Sequence, residues 1–271
     1  MDWAQVARRR RHRQASPSTR GELSAVVIKI RQAEWHQLAQ IERIGRLQRF
    51  LAPQVARMIA STDAPESLLE SHRREVTALF CDLREFTAFT DASEPEEVMA
   101  VLREYHESMG ELIFRYEGTL ERILANRIMI LFNDPIPCAD HTERAVRLAL
   151  DMRDKVQGLA KEWARKGHVL GFRIGIASGY ATLGQIGFAD RSGYTAIGTV
   201  CNLAARLCAE AKDGQILVGQ RVAVAVEETV PLEEVGELTL KGLTQPVVAY
   251  NVPLAATQPA LRVIEGGPQS V

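Results

Sequence analysis

From about residue 75 the chain alternates between the short hydrophobic period of strands and the longer period of helices. The run EVTALFCDL at 75–83 is rich in strand-forming residues and carries Asp82 near its end. An amphipathic helix is predicted over 93–118, because a Ser-Glu-Pro start and a glycine stop frame it. The stretch GTLERILANRIMILF at 118–132 then predicts a hairpin whose turn contains Ala-Asn-Arg.

The pattern continues with helices and strands to about residue 252. A long helix is predicted over 140–167, followed by two apolar strands, a loop at 188–198 and a short helix over 199–212. A strand, a helix and a final pair of strands complete the pattern. Strand, helix, hairpin, helix, strand is the order of a ferredoxin-like βαββαβ core, with helices on one face of an antiparallel sheet. The predicted fold class is therefore α/β of the α+β type, with an N-terminal helical extension.

Outside this core the sequence predicts three further segments. Residues 1–23 are expected to form a disordered basic arm, since residues 1–20 hold six Arg against a single Asp. Residues 24–70 are expected to form a helical linker or transducer, whose apolar seam suits packing on the chain's own core and pairing with a second copy equally well. The main domain is expected at 71–252 and a flexible tail at 253–271.

Composition narrows the class of protein. With 271 residues, 46% of them hydrophobic, and a net charge of -1, the chain is expected to form one main domain with no overall attraction for nucleic acid. It contains no apolar run of the roughly 18 to 20 residues that cross a bilayer. The chain is therefore expected to have no transmembrane segment. Its four cysteines lack metal or disulfide spacing, which predicts a reduced, cytoplasmic protein.

A few polar residues stand out on their own. Asp82 at a strand end suits a helix cap as well as a metal ligand. Asn202 and Arg206 are four residues apart and so share one helical face, where Arg206 either serves a site or extends from a core helix to solvent. The glycine-rich runs near them match no phosphate-binding loop fingerprint.

Five ordered stretches together resemble the catalytic domain of class III nucleotidyl cyclases, the adenylyl and guanylyl cyclases. They are VTALFCDLREFT, GTLERILANRIMILFNDP, DHTERAVRLALDM, FRIGIASGYATLGQIG, and YTAIGTVCNLAARL followed by GQILV. The resemblance covers about residues 75–252. It implies a signalling lyase that forms a cyclic nucleotide and pyrophosphate with two divalent metal ions, Mg²⁺ or Mn²⁺.

The resemblance also implies roles for particular residues. Metal binding falls on Asp82, the Leu83 carbonyl and Asn126; orientation of the ribose falls on Asn202, charge stabilisation on Arg206, and base reading on Arg122 and Thr195. Because Arg122 only donates hydrogen bonds, it suits the acceptor N1 of adenine, and ATP is expected over GTP. The family forms its site across a head-to-tail dimer, so a homodimer is implied, with a heterodimer with another cyclase as the alternative.

The chain departs from the family pattern around one site. Asn126 stands where the second metal-binding carboxylate is usual, Ala125 and Glu85 stand where glycine is usual, and the bulky Arg127 follows Asn126. The main hypothesis is an adenylyl cyclase, of full or low activity, that converts ATP to cyclic AMP and pyrophosphate. The alternative is a catalytically inactive pseudocyclase or regulatory half of a heterodimer, and the remote alternative is a scaffold that binds nucleic acid or membrane through the basic arm.

Overall fold

The computed structural model describes residues 54–55, 70–188 and 191–254. The chain divides into two units, Met1–Leu51 and Ala52–Val271, and every feature below belongs to the second. The predicted basic arm, nearly all of the predicted helical linker and most of the predicted tail lie outside the described residues. The scaffold hypothesis, which depends on the arm, therefore falls outside them as well.

The described residues form one mixed α+β fold around an extended sheet. The strands are β1 His72–Arg84, β2 Thr119–Leu124, β3 Arg127–Phe132, β4 Gly171–Phe188, β5 Arg191–Ile197, β6 Ile216–Gly219, β7 Glu233–Leu238 and β8 Val247–Asn251. The helices are α1 Phe86–Ala92, α2 Pro95–Arg115, α3 His141–Arg165, α4 Thr199–Glu210 and α5 Gln220–Val226.

The sheet has the topology that the hydrophobic pattern predicts. Its strand order is β2-β3-β1-β4-β6-β8-β7, and β5 pairs with β4 off this path. Within it, β2, β3, β1 and β4 pair antiparallel, while β6 runs parallel to β4. The ferredoxin-like core is therefore confirmed, and β1 lies between the hairpin strand β3 and the long strand β4.

Helices cover both faces of the sheet, whereas the sequence pattern predicted helices on one face. On the first face α2 and α3 bury large residues, among them Tyr105, Met109 and Trp163, against odd-numbered residues of β1. On the other face α4 packs Val200 and Ala204 on small residues of the sheet. The short side chains of that second face let α4 lie close to the backbone of β4.

Two local predictions for residues 171–198 were wrong. The segment predicted as two separate strands is the continuous 18-residue strand β4, and part of the segment predicted as a loop is β5. The physical reason is pairing: β4 is antiparallel to β1 through residue 183 and then antiparallel to β5 through residue 188. Pairing with neighbouring strands satisfies the backbone N–H and C=O groups of these segments, although their glycine-rich sequence predicts that the strand ends.

No helix in the described ranges is long and apolar enough to span a membrane.

Candidate active site

Asp82 is clamped between two arginines by the register of the sheet. On one side β3 places Arg127 directly opposite Asp82, and on the other side β4 places Arg173 opposite it. The Arg127 guanidinium donates to Asp82 Oδ2 at 3.0 Å, and Arg173 Nε donates to Oδ1 at 2.6 Å. Since the Asp82 side chain is only 2% exposed, both of its oxygens are committed to protein cations.

The charge at this position is opposite to that of a metal-binding carboxylate pair. One carboxylate and two guanidiniums sum to about +1. Burial favours the neutral form of Arg173, but its hydrogen bond with Asp82 and the charge of that carboxylate raise the pKa of Arg173. Arg173 also donates to the carbonyl of Ala209, the residue before the end of α4, at 2.6 Å. The cationic cluster thus joins the sheet to α4.

Asn126 occupies the Leu83 carbonyl oxygen, the second oxygen that was predicted to bind metal. Its side-chain Nδ2 donates a hydrogen bond of 2.9 Å to the Leu83 carbonyl, and the Leu83 N–H donates to the Asn126 carbonyl at 3.3 Å. An aspartate at this position has no N–H to offer to the Leu83 oxygen. The amide therefore contacts the Leu83 carbonyl as a donor, where the family pattern places a carboxylate beside a metal.

The backbone at both usual glycine positions is left-handed. Ala125 has φ 47 and Glu85 has φ 58, in the region that favours glycine. The left-handed residue of the hairpin turn is thus Ala125 and not Asn126. The turn is held to α2 by His106 Nε2, which donates to the Ala125 carbonyl at 2.7 Å. Both positions thus have a left-handed backbone although neither residue is glycine.

Replacing Ala125 with Gly is expected to stabilise the domain by about 0.5–1 kcal/mol, because glycine adopts a left-handed conformation without the Cβ penalty. Urea unfolding of the full chain measures the change. The matched control is Ala100→Gly on the exposed face of α2, which is expected to cost about 1 kcal/mol. A destabilised Ala125→Gly protein would contradict the backbone assignment.

Glu121, rather than Arg122, contacts Thr195. A register shift in β2 between Leu120 and Arg122 turns the Glu121 side chain inward, where it is 2% exposed. Glu121 Oε1 accepts from the Thr195 hydroxyl at 2.5 Å and from Arg122 at 3.2 Å, and its Oε2 is buried with no partner in the described part of the chain. Arg122 is 56% exposed. The two residues predicted to read the base are therefore bridged by a carboxylate.

Asn202 and Arg206 lie on the exposed face of α4, and across the described ranges no hydrogen bond or ion pair engages either side chain. Within one chain they do not contact Asp82 or Asn126. The predicted site residues therefore lie in three places: Asp82, Leu83 and Asn126 lie together, Arg122 and Thr195 both contact Glu121, and Asn202 and Arg206 share the exposed face of α4.

Sequence reasoning missed two residues that contribute to these groups. Arg173 lies in the stretch FRIGIASG, and its alternation with the buried Phe172 and Ile174 could have placed it on the polar face of the strand. Glu121 gives no such signal, because its inward position depends on the bulge in β2.

The sequence of this chain matches the family described as the adenylate and guanylate cyclase catalytic domain over residues 69–253. The chain belongs to this family. Class III cyclase domains bind nucleotide, work as dimers and generally use divalent metal ions.

Two relatives of this chain are named adenylate cyclases. The chain is 30% identical to adenylate cyclase 1 of Rhizobium meliloti (strain 1021) over 183 residues, which is 66% of this chain and 28% of that protein. It is 32% identical to an adenylate cyclase of Anabaena cylindrica over 142 residues, or 49% of this chain and 27% of that protein. The chain thus spans little more than a quarter of the length of these relatives.

Solved cyclase structures share the fold. The adenylyl cyclase CyaB from P. aeruginosa superposes with a TM-score of 0.67 at 30% identity, covering 70% of this chain and 98% of that one. The guanylyl cyclase Cya2 superposes with a TM-score of 0.63 at 30% identity, covering 67% of this chain and 93% of that one. The adenylyl and the guanylyl cyclase structure are equally identical in sequence to this chain, at 30%. The overall similarity therefore does not distinguish ATP from GTP, and the choice of base has to be argued from the side chains.

The residues around Asp82 do not fit the two metal ions that the family generally uses. Both Asp82 oxygens face guanidiniums, and the Leu83 carbonyl faces an amide N–H. In the ranges that the structure describes, no group of three or more His, Cys, Asp or Glu side chains could hold a metal ion. Bringing a dication to Asp82 Oδ2 would require Arg127 to leave this buried carboxylate and Arg173 to give up its longer contact of 3.3 Å with the same oxygen.

Proposed function

We propose that this chain is the regulatory half of a class III nucleotidyl cyclase: it contributes the ribose and transition-state residues to a composite site, while its own carboxylate position is blocked. The observation that carries the proposal is the pairing of both Asp82 oxygens with Arg127 and Arg173. A homodimer of such chains holds two blocked carboxylate positions. A heterodimer with a carboxylate-complete cyclase holds one working site.

The half that this chain contributes is formed by α4 and β5. Asn202 and Arg206 project from α4 with no partner in the described part of the chain, so both are available to a nucleotide held by a partner. Arg206 supplies a permanent positive charge for the phosphates as charge develops there. Asn202 supplies an amide donor and acceptor for the ribose hydroxyls.

ATP is the proposed nucleotide. Arg122 is exposed and carries only donors, which match the acceptor N1 of adenine, whereas guanine presents a donor at that atom. The named relatives support the same choice, since both are adenylate cyclases. The four cysteines are free, three of them buried, which supports the predicted cytoplasmic location.

A low-activity homodimeric adenylyl cyclase is the second candidate. It is favoured by the presence of Asp82, Asn202 and Arg206 in one chain, and by the 48% exposure of the Arg127 side chain, which can swing away from Asp82 more readily than a buried one. Losing one preorganised electrostatic group typically costs about a hundredfold in rate, which leaves measurable turnover.

A mixing experiment tests the regulatory role. A carboxylate-restored copy is made with Asn126→Asp and Arg127→Gly, and Arg206→Ala is added so that it lacks its own charge-stabilising residue. Mixed with wild-type chain, ATP and Mg²⁺ or Mn²⁺, it is expected to form cAMP at least about tenfold faster than the sum of the two proteins alone, because the wild-type copy supplies Arg206. A parallel reaction with GTP tests the base, and cAMP is expected to exceed cGMP.

The control partner is wild-type chain carrying Arg206→Ala, which leaves no copy in the mixture with that guanidinium. This control mixture is expected to show no gain. Equal rates for the two mixtures would contradict the regulatory role, while cAMP formation by wild type alone at the rate of the active mixture would favour the second candidate.

A further inference from the structure

A buried carboxylate outside the site gathers donors from two strands. Asp134 follows β3, and its side chain is 0% exposed. It accepts hydrogen bonds from the Tyr194 hydroxyl of β5 and from His72 Nε2 at 2.9 Å, and it forms an ion pair with Arg74 Nη1 at 3.2 Å. The Asp134 backbone carbonyl also accepts from the Thr119 hydroxyl at 2.8 Å. No step of the proposed function uses this cluster, which we call the Asp134 cluster.

The contacts of His72 require both of its ring nitrogens to donate. Nε2 faces the Asp134 carboxylate, and Nδ1 faces the Glu70 carbonyl at 3.0 Å. Neither partner has a proton to give, so a neutral imidazole satisfies only one of the two contacts and the imidazolium satisfies both. The hydrogen bond to Asp134 raises the pKa of His72 above 6.5, with burial opposing it and the Glu70 carbonyl adding to it.

Few charged groups face His72 in the described part of the chain. Asp134 approaches from the segment after β3, and Arg74 approaches from β1. Behind Asp134 lies the Tyr194 phenol, whose pKa burial and the carboxylate raise, so that it stays a donor. When His72 loses its proton, Asp134 keeps Arg74 and Tyr194 but loses its shortest contact with a cation, the one with His72 at 2.9 Å.

The cluster connects the first residue of β1 with the base-reading group. His72 begins β1, close to the start of the cyclase domain at residue 69. Tyr194 is the neighbour of Thr195, whose hydroxyl bonds the buried Glu121. The path from His72 through Asp134 and Tyr194 to Thr195 thus consists of hydrogen bonds and one peptide linkage.

We propose that Asp134 is a positioning residue that couples the protonation of His72, at the start of the catalytic domain, to the placement of Thr195 in β5. With His72 charged, the cluster fixes β5 against the start of β1. With His72 neutral, the contact to Asp134 weakens and β5 is held less tightly. The coupling itself is independent of nucleotide, whereas its effect on base reading rests on the proposed function.

The sign of the pH effect follows from the raised pKa of His72. A group whose pKa is higher in the folded chain contributes its stabilisation fully below its unfolded value, near 6.5, and loses it as the pH rises through the folded value. The Asp134 cluster is therefore expected to hold β5 tightly in mildly acidic solution and loosely above neutrality.

Nuclear magnetic resonance of the full chain without nucleotide tests the coupling. In a titration from about pH 5.5 to about pH 8.5, the His72 ring and the Thr195 amide are expected to share one midpoint, raised above the ordinary histidine value. In His72→Gln the Thr195 titration is expected to be lost, and Thr195 amide exchange near pH 5.5 to be about tenfold faster than in wild type, with equal rates near pH 8.5. His168→Gln, which removes a histidine that contacts Phe89, is the matched control and keeps the Thr195 titration.

A second variant, at Tyr194, is expected to raise the pKa of His72 rather than to remove its titration. Tyr194→Phe removes one donor from Asp134, so the carboxylate attracts His72 more strongly and the His72 midpoint is expected to rise. A Thr195 amide that is unchanged across the His72 titration in wild type would overturn the proposal without any variant. Because no measurement here uses nucleotide, failure of the mixing experiment above leaves this result unaffected.

Discussion

Placing a carboxylate at position 126 and removing the side chain of Arg127 is expected to raise cAMP formation by about a hundredfold or more. The variant is Asn126→Asp with Arg127→Gly, measured with ATP and Mg²⁺ or Mn²⁺ in the full chain. The change adds one carboxylate, frees one oxygen of Asp82 from Arg127 and removes the amide donor from the Leu83 carbonyl. The first two changes make the site more negative, and the third leaves the Leu83 carbonyl free to accept. All three favour the binding of divalent metal ions.

The single variants separate these effects. Asn126→Asp alone leaves Arg127 on Asp82 and places the new carboxylate next to that guanidinium, so a gain of less than about tenfold is expected. Arg127→Gly alone leaves the amide on the Leu83 carbonyl and is expected to gain as little. If the double variant is as inactive as wild type and unfolds in urea at the same concentration, the cause of the low activity lies elsewhere in the domain.

Replacing Gly175 with Ala is expected to lower the free energy of unfolding by about 3 kcal/mol or more. An added Cβ at this residue of β4 would lie 2.1 Å from the backbone nitrogen of Cys208 and 2.3 Å from the carbonyl oxygen of Ala204. Both atoms belong to the backbone of α4, so no side-chain rotation relieves the overlap and the helix must move. Urea unfolding measures the loss.

The control for this effect is Gly158→Ala on the exposed face of α3. A Cβ there meets nothing within 4 Å, and alanine in a helix interior is favoured over glycine by about 1 kcal/mol. The same substitution is thus expected to stabilise at one position and destabilise at the other. Since α4 carries Asn202 and Arg206, Gly175→Ala is also expected to abolish the gain in the mixing experiment. A stable Gly175→Ala chain would contradict the close contact of α4 with β4.

Local patterns along the sequence were enough to predict the hairpin and the two long helices of the core. The hairpin β2–β3 and the helices α2 and α3 lie where the periodicity and the end signals predict them. The long β4 was missed, because its pairing partners β1 and β5 come from distant or weakly patterned segments. Pairing between strands satisfies backbone groups irrespective of the side chains that mark a break.

The site shows the same division. The sequence by itself determined the family, the amide at Asn126 and the shared helical face of Asn202 and Arg206, since each depends on residue identity or on spacing along one element. The tertiary structure alone decided that Arg127 and Arg173 meet at Asp82, because this depends on the register of three strands, 127 to 82 to 173. It also decided that Glu121 faces Thr195, because a bulge shifts β2 by one residue and a one-residue shift turns a side chain to the other face of the sheet.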